Sequence, residues 1–371
     1  MPHFAFVMEQ TLGHVTHHQN LARYAEEASD FCAHWLPVHP GGDDLWERLP
    51  VVRGNWSLKS SLRARNALSA LYKKQKPDAL FLHTQTLALC ALPFMRQTPS
   101  VVSLDATPLN YDTVGEAYGH RASSGLLEKQ KMRWHCALFA QAAALTTWCQ
   151  WAKDSLVQDY GVPPQKVTVI PPGVDMDRWA FGKERDASLF EVGRSLRMLF
   201  VGGDFERKGG ETLLEAFHGG LNRLGTLDIV TKEEALQERL RGTEGVQVHL
   251  GLTANSAPLR ELFARADVFV FPTLADCLPL AVMEAMAAGL PVITTDVGAL
   301  REEVEPNVNG LLVPPKDAGA IVAAVQRLSE EPALRRSMAS RSRELAEARF
   351  CAKRNYNAIL NLLRSVAKKE A

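Results

Sequence analysis

Short apolar runs recur along the whole chain, separated by stretches with helical spacing. Phe4–Met8, Ala79–His83, Val101–Leu104, Ala143–Thr147 and Val167–Ile170 each read as a strand. The rhythm restarts at Met198–Val201 and continues through Leu227–Thr231, Val246–Leu250, Val268–Phe271, Val292–Thr294 and Leu311–Val313. Continuous apolar strands alternating with helices predict parallel sheets covered on both faces. Two such series predict two Rossmann-like domains, over 1–170 and 171–350. The boundary is the Pro171, Pro172, Gly173 turn, where two prolines withhold the donors a helix or central strand needs. The polar stretch 182–194 is expected on the surface. Early in the chain, a glycine loop at Thr11, Leu12 and Gly13 is expected to lead into a helix over about Thr16–Ala28.

Open parallel sheets bind ligands outside the carboxyl ends of their strands. That rule singles out Gly13, His83, Asp105, Gly202–Lys208, Gly251, Pro272–Asp276 and Asp296–Gly298. In Val268–Gly289 the strand stops at Pro272, and a helix starts near Leu280 and ends at Gly289. That helix is apolar all round, which marks it as buried, yet it carries Glu284. A buried carboxyl needs a partner, and it lies about 6 Å along the axis from the helix start. The free N–H groups of that start suit an anion. A sugar hydroxyl pair beside a phosphate meets both demands; a structural arginine or a capped loop would also satisfy Glu284. In Leu199–Phe217 a strand runs into Gly202 and Gly203, and Arg207 and Lys208 precede the next helix. Two cations there suit a diphosphate; a solvated turn is the plainer alternative. No G-K-[ST] or G-x-G-x-x-G element is present.

Composition narrows the class. Hydrophobic residues make up 46% and charged residues 23%, ordinary for a globular enzyme. The formal net charge of +0 gives no general case for nucleic acid. The six cysteines show no C-x-x-C spacing, which fits a reducing compartment. No stretch approaches the about 18 apolar residues of a membrane span, and Met1–Met8 does not read as a signal peptide. A cytoplasmic protein is expected.

Three stretches together resemble glycosyltransferase family 4, the retaining enzymes of GT-B fold: VIPPGVD at 169–175, FVGGDFERKGG at 200–210 and PTLADCLPLAVMEAMAAGLPVITTDVGALREEV at 272–304. The resemblance covers nearly all of the C-terminal half. It implies an α/β fold of two facing Rossmann-like domains, an N-terminal acceptor domain and a C-terminal donor domain, with a last helix within 351–371 crossing back to the first. In the family's E-x7-E element Asp276 takes the first position and Glu284 the second. Glu284 would hold the donor ribose, and Asp276 would face the transferred sugar. Leu280 and Ala281 would offer backbone N–H groups; Pro279 stands where a glycine is frequent. Gly203 replaces the arginine of V-G-R-x-x-x-x-K-G, Lys208 is kept, and Arg207 is the expected substitute cation.

The N-terminal half matches less tightly. In TLGHVTH at 11–17, Gly13 would approach the donor and His14 the acceptor, with Asp112 also on the acceptor side. Asp105 stands in place of a frequent histidine and would contact a sugar hydroxyl or orient the acceptor; an Asx-turn with Thr107 is its structural alternative. The implied reaction is retaining transfer from a nucleotide-diphosphate sugar, UDP- or GDP-linked, of hexosyl type. It needs no metal and no other cofactor. The leaving diphosphate takes the acceptor proton, and Arg207 and Lys208 stabilise its charge. The acceptor is a glycan, a lipid or a small metabolite. A nucleotide-sugar epimerase and a non-catalytic nucleotide-sugar-binding partner remain as alternatives. The basic amphipathic stretch 55–76 adds a weak peripheral contact with the inner membrane surface, set against a helix that merely covers its sheet.

Overall fold

The computed structural model describes residues 1–115, 125–181, 190–191 and 193–368; most of the expected connection at 182–194 lies outside them. The chain forms two units. The first takes the chain up to Gly173, apart from a short stretch after Asp112, and regains it at Ala352; the second is built on Val174–Cys351.

The first unit holds a six-stranded parallel sheet in the order β2-β1-β3-β4-β5-β6. The strands are β1 (His3–Glu9), β2 (Cys32–Val38), β3 (Ala79–His83), β4 (Ser100–Leu104), β5 (Ala144–Thr147) and β6 (Val167–Val169). Its helices include α1 (Leu12–Glu27), α2 (Trp56–Lys74) and α3 (Pro108–Val114). Strand β2 was not expected from the sequence. It lies at the sheet edge, where Pro37 is tolerated because one side needs no ladder donor. Side chains of β1 alternate between two cores. Ala5 and Val7 pack with Ala64 and Leu68 of α2. Phe4, Phe6 and Met8 pack with Leu21 and Tyr24 of α1. The central strands therefore read as apolar on both faces, the pattern that predicted a doubly covered sheet.

The second unit holds a six-stranded sheet in the order β12-β11-β10-β7-β8-β9. Here the strands are β7 (Leu196–Val201), β8 (Gly225–Val230), β9 (Val246–His249), β10 (Val268–Phe271), β11 (Val292–Thr295) and β12 (Gly310–Val313). Helices α4 (Gly210–Gly219), α5 (Leu280–Ala287) and α6 (Leu300–Glu303) follow β7, β10 and β11. The strand order reverses between β7 and β10, and in the first sheet between β1 and β3. Ligands bind at such switch points.

The last helix, α7 (Ala352–Lys368), belongs to the first unit. Its buried residues Tyr356, Ile359, Leu360, Leu363 and Val366 recur at helical spacing and pack against Phe4, Phe81 and Val101. No described helix is long and apolar enough to cross a membrane.

Candidate active site

At the second unit's switch point, β7 runs into Gly202 and Gly203, and the loop to α4 folds under the end of β10. Gly209 makes that approach feasible. It has φ +77°, and a Cβ there would lie 1.8 Å from the Pro272 carbonyl oxygen. The two strand ends are then tied, because Leu274 N donates to the Arg207 carbonyl at 2.9 Å. Arg207 itself is buried. Its Nε donates to Asp204 Oδ2 at 2.7 Å and its Nη1 to the Ala275 carbonyl at 3.0 Å. Arg207, expected as the substitute cation for the diphosphate, is here paired with Asp204, one turn back, and its donors join the two loops.

Lys208 Nζ donates to Asp276 Oδ2 and lies 5.4 Å from the centre of the Phe271 ring. Burial pulls its pKa down, and Asp276 opposes that pull. The other Asp276 oxygen, Oδ1, accepts from Cys277 N at 3.1 Å. Lys208 and Asp276, predicted separately from two motifs, are thus one ion pair.

Glu284 sits on the second turn of α5, 7% exposed. Neither a hydrogen bond nor an ion pair reaches its carboxyl among the described residues. No arginine among the described residues pairs with it. Burial alone pushes its pKa up to about 8. At the start of the same helix Val282 N and Met283 N turn back to the Pro279 carbonyl, while Leu280 N and Ala281 N have no partner among the described residues. Two N–H groups and a carboxyl, all without a partner among the described residues, thus lie one turn apart on the helix that follows β10.

Two residues here escaped the sequence reading. Glu303 on α6 is fully buried, and neither of its oxygens has a partner among the described residues. Burial holds its pKa well above normal, with Asp276 and Glu302 adding to the rise and Lys208 opposing it. Lys232, just past β8, lays its stem beside Gly203: a Cβ there would meet Lys232 Cδ at 3.5 Å. Gly203 is thus not required by space, and a cation does reach its side of the loop. Only strand pairing brings Lys232 there, so no spacing in the sequence could show it.

In the first unit the switch point gathers a second set. The predicted glycine loop is corrected: α1 begins at Leu12, so Gly13 lies inside its first turn. Leu12, with φ +43°, makes the turn instead, and His14 N donates to the Thr11 carbonyl at 3.0 Å. His14 bonds His83 through Nδ1 and Nε2 at 2.9 Å. Its own Nε2 is 3.9 Å from both Glu9 Oε1 and Asp105 Oδ2. Glu9, buried at the end of β1, accepts from Thr84 Oγ1 at 2.6 Å. A charge closing the apolar run FAFVME was the available signal for it. Trp148 stacks on His83, with ring centres 5.3 Å apart.

Asp105 Oδ1 accepts from Ala106 N at 3.0 Å, whereas Thr107 N donates to Asn110 Oδ1 at 3.1 Å. The Asx-turn with Thr107 is therefore not formed. Burial raises the Asp105 pKa, and Glu9 adds to the rise while His14 opposes it. Asp112 lies on α3; burial pushes the nearby Tyr160 phenol up to about 12, and the Asp112 charge adds to the rise.

Known proteins share both halves. The family model "Glycosyltransferase Family 4" matches residues 13–178, and "Glycosyl transferases group 1" matches residues 195–331. Glycogen synthase of Mycobacterium tuberculosis is 28% identical over 339 residues, covering 82% of this chain and 78% of that protein. D-inositol 3-phosphate glycosyltransferase of Geodermatophilus obscurus is 30% identical over 198 residues, covering 46% of this chain and 42% of that protein. Sucrose-phosphate synthase of Thermosynechococcus elongatus superposes with a TM-score of 0.78 at 19% identity, covering 99% of both chains. HepE of Anabaena, in complex with UDP-glucose, gives 0.71 at 16% identity, covering 98% of this chain and 100% of that one. The fold is of GT-B type, and the chain belongs to the family 4 type of glycosyltransferases.

Proposed function

We propose that the second unit holds a nucleotide-diphosphate sugar and that the enzyme transfers its sugar, of hexosyl type, with retention. The observation that carries this reading is Glu284: a buried carboxyl without a partner, one turn beyond two free N–H groups. Ribose hydroxyls would donate to the carboxylate, and a phosphate would accept from Leu280 N and Ala281 N. Lys208 would then turn from Asp276 to the diphosphate, leaving Asp276 to accept from a hydroxyl of the transferred sugar. In the transfer, the bond from the anomeric carbon to the diphosphate oxygen breaks. The acceptor oxygen bonds to the same face, and its proton passes to the departing diphosphate. Lysine charge, not a metal, stabilises that departing group. Arg207 serves by holding the loop that carries Lys208.

UDP- and GDP-sugars are the proposed donors; HepE, which shares the fold, is known in complex with UDP-glucose. Glu9, His14 and Asp105 of the first unit are the proposed acceptor contacts, with a glycan, lipid or small metabolite as acceptor. The test is calorimetric titration and turnover with UDP-, GDP- and ADP-sugars. A donor at 100 times its dissociation constant adds about 2.7 kcal/mol to stability. Lys208→Ala should cut turnover by about 10²-fold. No binding of any nucleotide sugar, or full turnover in that variant, would refute the reading.

The membrane contact through 55–76 belongs to the same proposal. Trp56 is 41% exposed, Leu45 60% and Leu49 37%; Arg65, Lys73 and Lys74 are exposed on α2, and Lys76 is exposed just after it. Its Lys59 and Arg63, however, are paired with Glu47 and Asp44. Sedimentation with anionic vesicles at low and high salt checks it; no binding at low salt points to an acceptor in solution.

A further inference from the structure

We propose that Lys232 is the cation that first receives the donor diphosphate, an assignment that rests on the donor reading above. The argument is one of charge and placement. Arg207 and Lys208, the cations the sequence offers, are each neutralised by an acid within the unit, Asp204 and Asp276. Lys232 is exposed and has neither a hydrogen bond nor an ion pair among the described residues. Its stem nevertheless runs along the phosphate-side loop, with Cδ 3.5 Å and Cε 3.7 Å from where a Gly203 Cβ would be. The ammonium group is one bond further on.

The residues around it are anchored. Gly202 N donates to the Val230 carbonyl at 2.9 Å, tying the loop to the end of β8. Glu233 N donates to Thr231 Oγ1 at 3.3 Å, and Glu233 Oε1 accepts from Phe205 N at 2.6 Å. The residues on either side of Lys232 are thus held, one of them to the loop itself, and the lysine between them carries an unneutralised charge beside the loop that follows β7. A Cβ at Gly203 would rest in ordinary contact with the Lys232 stem, so the stem lies directly along this loop. A diphosphate arriving there meets Lys232 before it can compete with Asp276 for Lys208.

Titration calorimetry with UDP, GDP and inorganic pyrophosphate tests this on Lys232→Ala, Lys232→Arg and Lys232→Glu. The side chain is exposed, so the thermal midpoint should be unchanged in all three. Lys232→Ala should weaken every diphosphate that binds by about tenfold or more, the weight of one charge-assisted hydrogen bond. Lys232→Arg should stay within a few-fold of the wild type, and Lys232→Glu should lose more than Lys232→Ala. Wild-type affinity in Lys232→Ala, with a clear loss in Lys208→Ala, would overturn the role of Lys232 alone. If neither variant changed affinity, or if the wild type bound no diphosphate, the donor reading would fall with it.

Discussion

At the scale of single residues, two buried carboxyls of the second unit have opposite prospects. Glu284 rests near pKa 8 because burial disfavours its charge. If ribose hydroxyls donate to its carboxylate, binding must expel a proton below that pH. Nucleotide affinity should then rise by about tenfold per pH unit from pH 6 and level off near 8. Glu284→Gln should bind more weakly and lose this slope; an unchanged slope would return the residue to the core. Glu303 has nothing to gain from such a ligand, being fully buried with both oxygens unpartnered. Glu303→Leu should therefore stabilise the second unit, by about 1–3 kcal/mol, the cost of leaving a buried polar group unmade. A raised acid loses stability as pH rises, so the gain should grow with pH in urea unfolding; a destabilised variant would reveal an unseen partner. Glu284 was legible in the sequence as one charge on an apolar helix. Glu303 was not, since a burial pattern four residues long shows no face. Nor was the fate of Arg207, because Asp204 captures it through a loop conformation that no periodicity encodes.

Elements were easier to read than residues, and for a physical reason. A strand covered on both faces is built mostly of apolar side chains, and eleven such runs stand out without any knowledge of their neighbours. The edge strand β2, half buried and interrupted by Pro37, has no such requirement and was missed. Helix α1 began earlier than expected because a leucine took the left-handed turn that a glycine would normally supply. Helix α7 shows the opposite situation: the family resemblance placed it on the first unit, and its apolar residues recur there as one buried stripe. Leu363 is fully buried in that stripe, in one core with Phe4 and Phe81. Leu363→Ala should cost the first unit about 2–5 kcal/mol. Urea denaturation, followed by hydrogen exchange of β3 and β10 peptides, would show the loss confined to β3. An equal loss in β10 would mean that α7 does not act on the first unit alone.

For the molecule as a whole, the two units should respond to pH in opposite directions. The first buries neutral imidazoles. His17 is pulled down to about 3 by burial and then by His14 and His18; burial also pulls His135 down to about 4 and His83 well below normal. A base with a depressed pKa lends stability above its unfolded value of about 6.5, and that stability is lost as pH falls toward the folded value. For His17 alone the loss by pH 5 is on the order of 2 kcal/mol. Asp105, raised by burial, works against this trend as one group against three. In the second unit Glu284 and Glu303 are acids with raised pKa values. Their contribution is fully present below about 4.5 and is lost as pH rises, for Glu284 up to about 8. Hydrogen exchange, corrected for intrinsic rates, should therefore show β3 losing protection first at pH 5 and β10 losing it first at pH 8.5. Replacing both Glu284 and Glu303 by glutamine should flatten the alkaline loss in β10 and leave the acid loss in β3 untouched. Parallel behaviour of the two peptides across that range would show that the buried histidines and glutamates do not set the stability of their own units.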